Sequence, residues 1–172
     1  MIANFPVRRI ARSGPGFNDS TQSIRVVAAT ETPIKKIISL KHGVMDTIRL
    51  ISGVQLPKSG QVPLLDSHNM DSVSAVLGSA RNFSHKDTLL ECDVFFSKTN
   101  AAQEAAQKVI EGHLTDFSTS LAIIDSHIVP PKETKIINGR EFSGPVFVIE
   151  KSMLLELSIT AIGADEYAKP IY

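Results

Sequence analysis

The chain has little to build a disulfide with. Cys92 is its single cysteine, so no internal bridge can form and the sequence predicts a reducing compartment. It also lacks an excess of either charge. Lys+Arg and Asp+Glu both number 18 and the formal net charge is zero, which removes the general attraction that draws basic proteins to nucleic acid or to anionic membranes. Neither is expected as a partner, although a local basic patch remains compatible with the totals. No apolar run reaches the roughly 20 residues that span a bilayer, and Arg8-Arg9 near the start is not followed by the apolar stretch of a secretory leader. HExxH, CxxC and GxSxG are all missing. The first two absences leave a metal site without support, and the third argues against an α/β-hydrolase nucleophile elbow. There is no internal repeat and no low-complexity tract.

What is present is mostly strand pattern. The 172 residues fit one domain. Residues 1–22 are rich in breakers and read as an irregular N-terminal segment, 23–168 as the body of the domain and 169–172 as a tail. Strands are predicted at 23–30, 33–40, 43–51 and 61–68, and a hairpin over 73–83 and 87–96. In the second arm of that hairpin Leu90, Cys92, Val94 and Phe96 share one all-apolar face and should point inward. One helix is predicted, with Asn100 as N-cap, Gln103 completing a capping box, an alanine-rich stripe at Ala102, Ala105, Ala106, Val109 and Ile110, and a stop at Gly112. Small residues on the stripe imply close packing against a sheet. Further strands follow at 114–124, 133–139 and 146–162, the last too long for one strand and expected to bend at Glu150-Lys151-Ser152. The sum is a β-rich α+β domain, for which a barrel is one arrangement left open.

Three polar residues stand out against this apolar background. His68 ends the strand VPLLD and can be held by a sheet while reaching a cleft. Ser118 lies inside LTDFSTSLAI. Glu156 lies inside MLLELSITAI, where period two puts it on a face with Leu154 and Ser158, opposite Leu155, Leu157 and Ile159. Each has an ordinary structural explanation: most histidines are surface or hydrogen-bonding residues, strand serines usually bond to backbone, and alternation permits Glu156 to face water. If Glu156 is buried, the cost of desolvating a carboxylate requires a partner such as a histidine.

Three segments together resemble the prohead (head maturation) serine proteases of tailed phages, a family related to the herpesvirus assemblins. VPLLDSHNMDSVSAVLGSARNF (62–83) resembles the family's histidine motif, EGHLTDFSTSLAI (111–123) its serine motif, and LLELSITAIGADEYA (154–168) its closing strand. Ser120 stands where the family often has glycine, and Ile162-Gly163-Ala164-Asp165 where its closing turn often reads Pro-Ala-Asn. The resemblance implies an assemblin-like β-rich barrel flanked by one or more helices and a serine endopeptidase with a Ser-His-acid triad of Ser118, His68 and Glu156, with Asp116 and His113 as reserve candidates for the third member. In that scheme His68 takes the Ser118 proton, Glu156 holds the imidazole tautomer, and Arg81 is a candidate contributor to the oxyanion site. No cofactor is implied. The expected substrate is scaffold protein or the scaffolding region of the major capsid protein, and also the enzyme itself. The expected place is the host-cell cytoplasm inside the immature head, and the expected state is a homo-oligomer, a dimer or larger. The alternative is a catalytically inactive assembly or tail-tube-like structural protein on the same barrel.

Overall fold

The computed structural model describes residues 16–39 (without the side chains of 36–39) and 43–172. Residues 1–15 of the expected irregular segment, and His42, lie outside the described residues. In chain order the elements are β1 (Phe17–Asn18), β2 (Ser23–Thr30), β3 (Ile34–Ser39), β4 (Gly43–Arg49), β5 (Val54–Gln55), β6 (Val62–Asp66), β7 (Val76–Lys86), β8 (Leu89–Phe96), α1 (Asn100–Ile110), β9 (Asp116–Val129), β10 (Thr134–Ile137), β11 (Arg140–Ser143) and β12 (Val146–Thr160). The chain is thus a strand-rich α+β fold. Ten strands form one curled half-barrel sheet in the order β1-β2-β8-β7-β6-β12-β4-β3, with β5 and β9 also paired to β12. Among the described residues no helix is long and apolar enough to cross a membrane.

β12 is the spine of the sheet. One edge runs parallel to β4, β5 and β6 in succession, and the other runs antiparallel to β9 along nearly its whole length. Partners on both sides explain why its 15 residues remain one strand, where the sequence predicted a break. The register against β9 instead shifts at three places, once with the extra residue, Ile124, on β9 between the Lys151 and Ser152 pairings, and twice at β-bulges in β12 itself. One lies at Glu150, between the Ile149 and Lys151 pairings, where the sequence predicted the bend; the other lies at Leu155, between the pairings of Leu154 and Glu156. A bulge sets two residues against one on the partner strand, so it bends the strand and reverses which residues face which side.

The β7–β8 hairpin forms as predicted but runs to Lys86 and Leu89. Leu90, Cys92, Val94 and Phe96 are all buried. Burial pushes the Cys92 thiol up from its ordinary value, which makes it an inert core residue. Two hydrogen-bond features close α1: Gly112 N–H donates to the Val109 carbonyl and His113 N–H to that of Lys108. Gly112, at φ 77°, takes the left-handed position that this stop requires. At its other end Thr99, not Asn100, occupies the cap. Gln103 Nε2 reaches the Ser97 carbonyl at 2.6 Å. Ala102, Ala105, Ala106 and Val109 pack into the main core with Leu64, Leu90, Val94 and Leu157. Each large aliphatic side chain buried there contributes on the order of 1.5–3 kcal/mol. A second cluster, including Leu50, Val129, Phe142 and Val148, sits under the β10–β11 hairpin. That hairpin turns on Asn138-Gly139, both at positive φ. The dipeptide is a strong signal for such a turn, yet the sequence reading made a single strand of 133–139.

Residues 169–171 do not hang free. Val27 N–H donates to the Lys169 carbonyl and Ile171 N–H to that of Arg25, so the segment predicted as a tail is laid against β2. Phe17 is likewise buried against Phe96, with ring centroids 6.2 Å apart.

Candidate active site

β6 delivers His68. After Asp66 the chain reverses through Ser67 and His68, at φ 50° and 60°, and Asn69 N–H donates back to the Asp66 carbonyl at 2.9 Å. Two consecutive positive φ values define a tight primed turn. It is pinned to β12: Ser67 N–H donates to the Ile159 carbonyl, and His68 N–H donates to Ser158 Oγ at 2.9 Å.

Glu156 reaches the same place through the Leu155 bulge. Leu154, Leu157 and Ile159 all lie in the main core, while Glu156 turns to the other side with Ser158. The sequence expectation that Leu154 shares the face of Glu156 is therefore corrected, because the extra residue reverses the alternation between them. Leu155 is left 43% exposed. Glu156 itself is 1% exposed and fully partnered. Oε2 accepts from Ser158 Oγ at 2.6 Å and Oε1 pairs with His68 Nδ1 at 2.7 Å. A carboxylate only accepts, so the proton of this contact lies on Nδ1. The neutral ring then presents Nε2 as an acceptor.

The third predicted residue, Ser118, pairs with Ser158 across the β9–β12 ladder. It lines, with His68, a cleft of about 390 Å³. Its hydroxyl makes no hydrogen bond among the described residues, to His68 or otherwise. The serine that touches the imidazole is Ser120, with Oγ 3.2 Å from Nδ1. That nitrogen already donates to Glu156, so it is not available to take a proton from Ser120. Thus the structure joins His68 to Glu156 directly and sets Ser118 in the cleft that His68 lines, without a direct bond.

The reserve candidates lie elsewhere. Asp116 pairs with Lys169 and accepts from Gly163 N–H at 2.8 Å. The Lys169 hydrogen bond, then the Gly163 N–H, hold its carboxyl below the ordinary value. His113 is exposed and faces Glu111. Neither lines the cleft. Arg81 is exposed, bonds Ser79 Oγ, stacks over the Phe95 ring and does not line it either.

The sequence reading missed four residues that the fold brings here. Ser158 tethers both His68 and Glu156. Ser120 touches the ring. Arg49 and Thr119 line the cleft and bond each other, Nη1 to Oγ1, at 2.5 Å. Only Ser120 and Ser158 carried a signal, as polar residues two positions from predicted site residues. Among the described residues one set could hold a metal ion: Asp125, His127 and Glu150, with ligand atoms within 4.8 Å of one another. His127 there already bonds Glu150 at 2.6 Å and Lys135 Nζ at 2.8 Å. The ammonium donates to the second ring nitrogen, so the group is a Lys135–His127–Glu150 hydrogen-bond relay.

The chain matches no protein-family model, no curated protein and no solved structure.

Proposed function

We propose that this chain is a serine endopeptidase in which Ser118 is the nucleophile, His68 the general base and acid, and Glu156 the group that fixes the imidazole. The observation that carries the reading is a buried carboxylate bonded to Nδ1 of His68, which lines a cleft together with a serine whose hydroxyl has no hydrogen bond among the described residues. Such a pair leaves Nε2 basic and stabilises the imidazolium when it forms.

In the proposed reaction Nε2 removes the Ser118 proton as Oγ attacks the peptide carbonyl. The tetrahedral oxyanion needs donors. Phe117 N–H points away from β12, to the Ala168 carbonyl, so by strand alternation Thr119 N–H also points away from β12. That amide, one residue past the nucleophile and without a backbone partner among the described residues, would meet the oxyanion. His68 then protonates the leaving amine, and water, deprotonated by the same nitrogen, releases the acyl group and regenerates Ser118. The resemblance to prohead proteases and their assemblin relatives supports the finer reading of the fold and the substrate: scaffold protein or the scaffolding region of a capsid protein, cut inside an immature phage head by a homo-oligomer.

The test is co-expression with the capsid and scaffold proteins of the same phage, read by mass spectrometry. Ser118→Ala should fold and leave both substrates intact. Ser120→Ala should keep cleavage within about tenfold, since it loses one contact to the ring. Full cleavage by Ser118→Ala refutes the assignment. A second reading, an inactive structural protein of the same assembly, is favoured by the missing His68–Ser118 bond. It predicts that the unmodified chain cuts neither substrate.

A further inference from the structure

Arg49 is an unusual residue to find at the end of a sheet strand. It is 9% exposed, and of its five N–H donors only Nη1 has a hydrogen-bond partner among the described residues, Thr119 Oγ1. No carboxylate there forms an ion pair with it. The attraction it feels comes from Asp165, but the oxygens of Asp165 accept from Thr30 N–H at 2.7 Å, Thr30 Oγ1 at 3.0 Å and Tyr167 N–H at 3.2 Å. Burial accordingly pulls the guanidinium below its ordinary value, with Asp165 opposing. A buried cation whose nearest counter-charge is spent on other donors is costly for a fold to keep.

Two residues earlier on the same face of β4 is Thr47. Its hydroxyl is buried and has no hydrogen-bond partner among the described residues. Both side chains line the cleft that holds Ser118 and His68. The one partner of Arg49, Thr119, is the chain neighbour of Ser118. An under-satisfied guanidinium thus lines the cavity with an unpartnered hydroxyl buried two residues away, and the group it lacks is an anion small enough to enter. A guanidinium fork matches a carboxylate, which takes two parallel N–H bonds and has lone pairs left for a hydroxyl.

We infer that Arg49 and Thr47 form a carboxylate subsite, which selects peptide substrates carrying aspartate or glutamate beside the scissile bond. The inference rests on the endopeptidase reading for its placement beside a scissile bond. The binding chemistry stands on the subsite alone, and the experiment separates the two.

The binding arm uses the full chain carrying Ser118→Ala. Its probes are fluorescein-labelled degenerate decapeptides with an amidated C-terminus and a fixed central glutamate or glutamine, read by anisotropy. The glutamate pool should bind at least about tenfold tighter, the value of a charge-assisted bidentate contact. Arg49→Gln should erase the preference. Thr47→Val, which keeps the shape and removes a buried unpaired hydroxyl, should weaken it without lowering the thermal midpoint, and it carries the test if Arg49→Gln does not fold. Equal binding of the two pools overturns the subsite. So does a preference that survives both substitutions, or tight binding that follows a free C-terminal carboxylate in a third, glutamine pool. The cleavage arm gives the unmodified protein a proteome-derived peptide library. Cuts without acidic enrichment reject the subsite and leave the protease. No cuts, with the glutamate preference intact, reject the protease and leave the subsite.

Discussion

Replacing Glu156 by glutamine perturbs the proposed machinery at one atom. The side chain keeps its size, so the core around Leu154 and Leu157 is untouched. The carboxylate accepts two hydrogen bonds, from Ser158 Oγ at 2.6 Å and from His68 Nδ1 at 2.7 Å, and an amide offers one acceptor oxygen and one donor nitrogen. One of the two contacts must therefore reverse. The serine can rotate its hydroxyl to accept, but it also receives His68 N–H at 2.9 Å, which favours keeping the amide oxygen on Ser158. The NH2 group then faces Nδ1, drives the ring proton to Nε2 and removes the base. Loss of the oriented tautomer in a serine triad costs on the order of 10³–10⁴ in kcat, or about 4–5.5 kcal/mol of transition-state stabilisation. Folding stability should change much less, by about 1–3 kcal/mol, because one charge-assisted bond is lost while a buried charge is removed. Two measurements check this. Single-turnover cleavage gives the rate, and nitrogen-15 shifts of the labelled imidazole report which ring nitrogen carries the proton. A folded Glu156→Gln protein with an unchanged rate would refute the role of Glu156. An unchanged Nδ1–H tautomer would refute the hydrogen-bond reasoning even if no substrate is ever found.

Two further outcomes follow from the scaffold. Asp116→Asn should weaken the tie between β9 and the C-terminal segment by about 1 kcal/mol, screened because Lys169 is partly exposed. Since the Asp116 carboxyl is held below its ordinary 3.8, that contribution is complete above this value and is lost as pH falls through the lower folded value; urea melts of both proteins should differ at pH 6 and converge towards pH 2. Gly78→Ala should destabilise the fold severely, because a Cβ at Gly78 falls 1.9 Å from the Phe95 carbonyl oxygen and only backbone movement between β7 and β8 relieves it; a thermal midpoint within about 2 °C of the parent would contradict the close approach.

Features that depend on neighbours in sequence were legible. The inward face of β8 follows from unbroken alternation, and α1 from its alanine stripe and Gly112 stop. Burial of Glu156 was raised by its apolar setting, though not decided, since a period-two reading equally allows it to face water. The face it shares was misread for a physical reason. The bulge at Leu155 is set by pairing β12 with β9 on one edge and with β4, β5 and β6 on the other, and no residue at 154–156 announces it. Arg49 had no local signal at all, since its burial and its lack of a direct ion pair exist only once β4 and β9 face the same cleft. The sequence by itself determined which segments extend, where the helix sits and which polar residues are out of place. The tertiary structure alone decided that His68 meets Glu156 and Ser120, and that Arg49 enters the cleft, because those distances depend on the register of strands far apart along the chain.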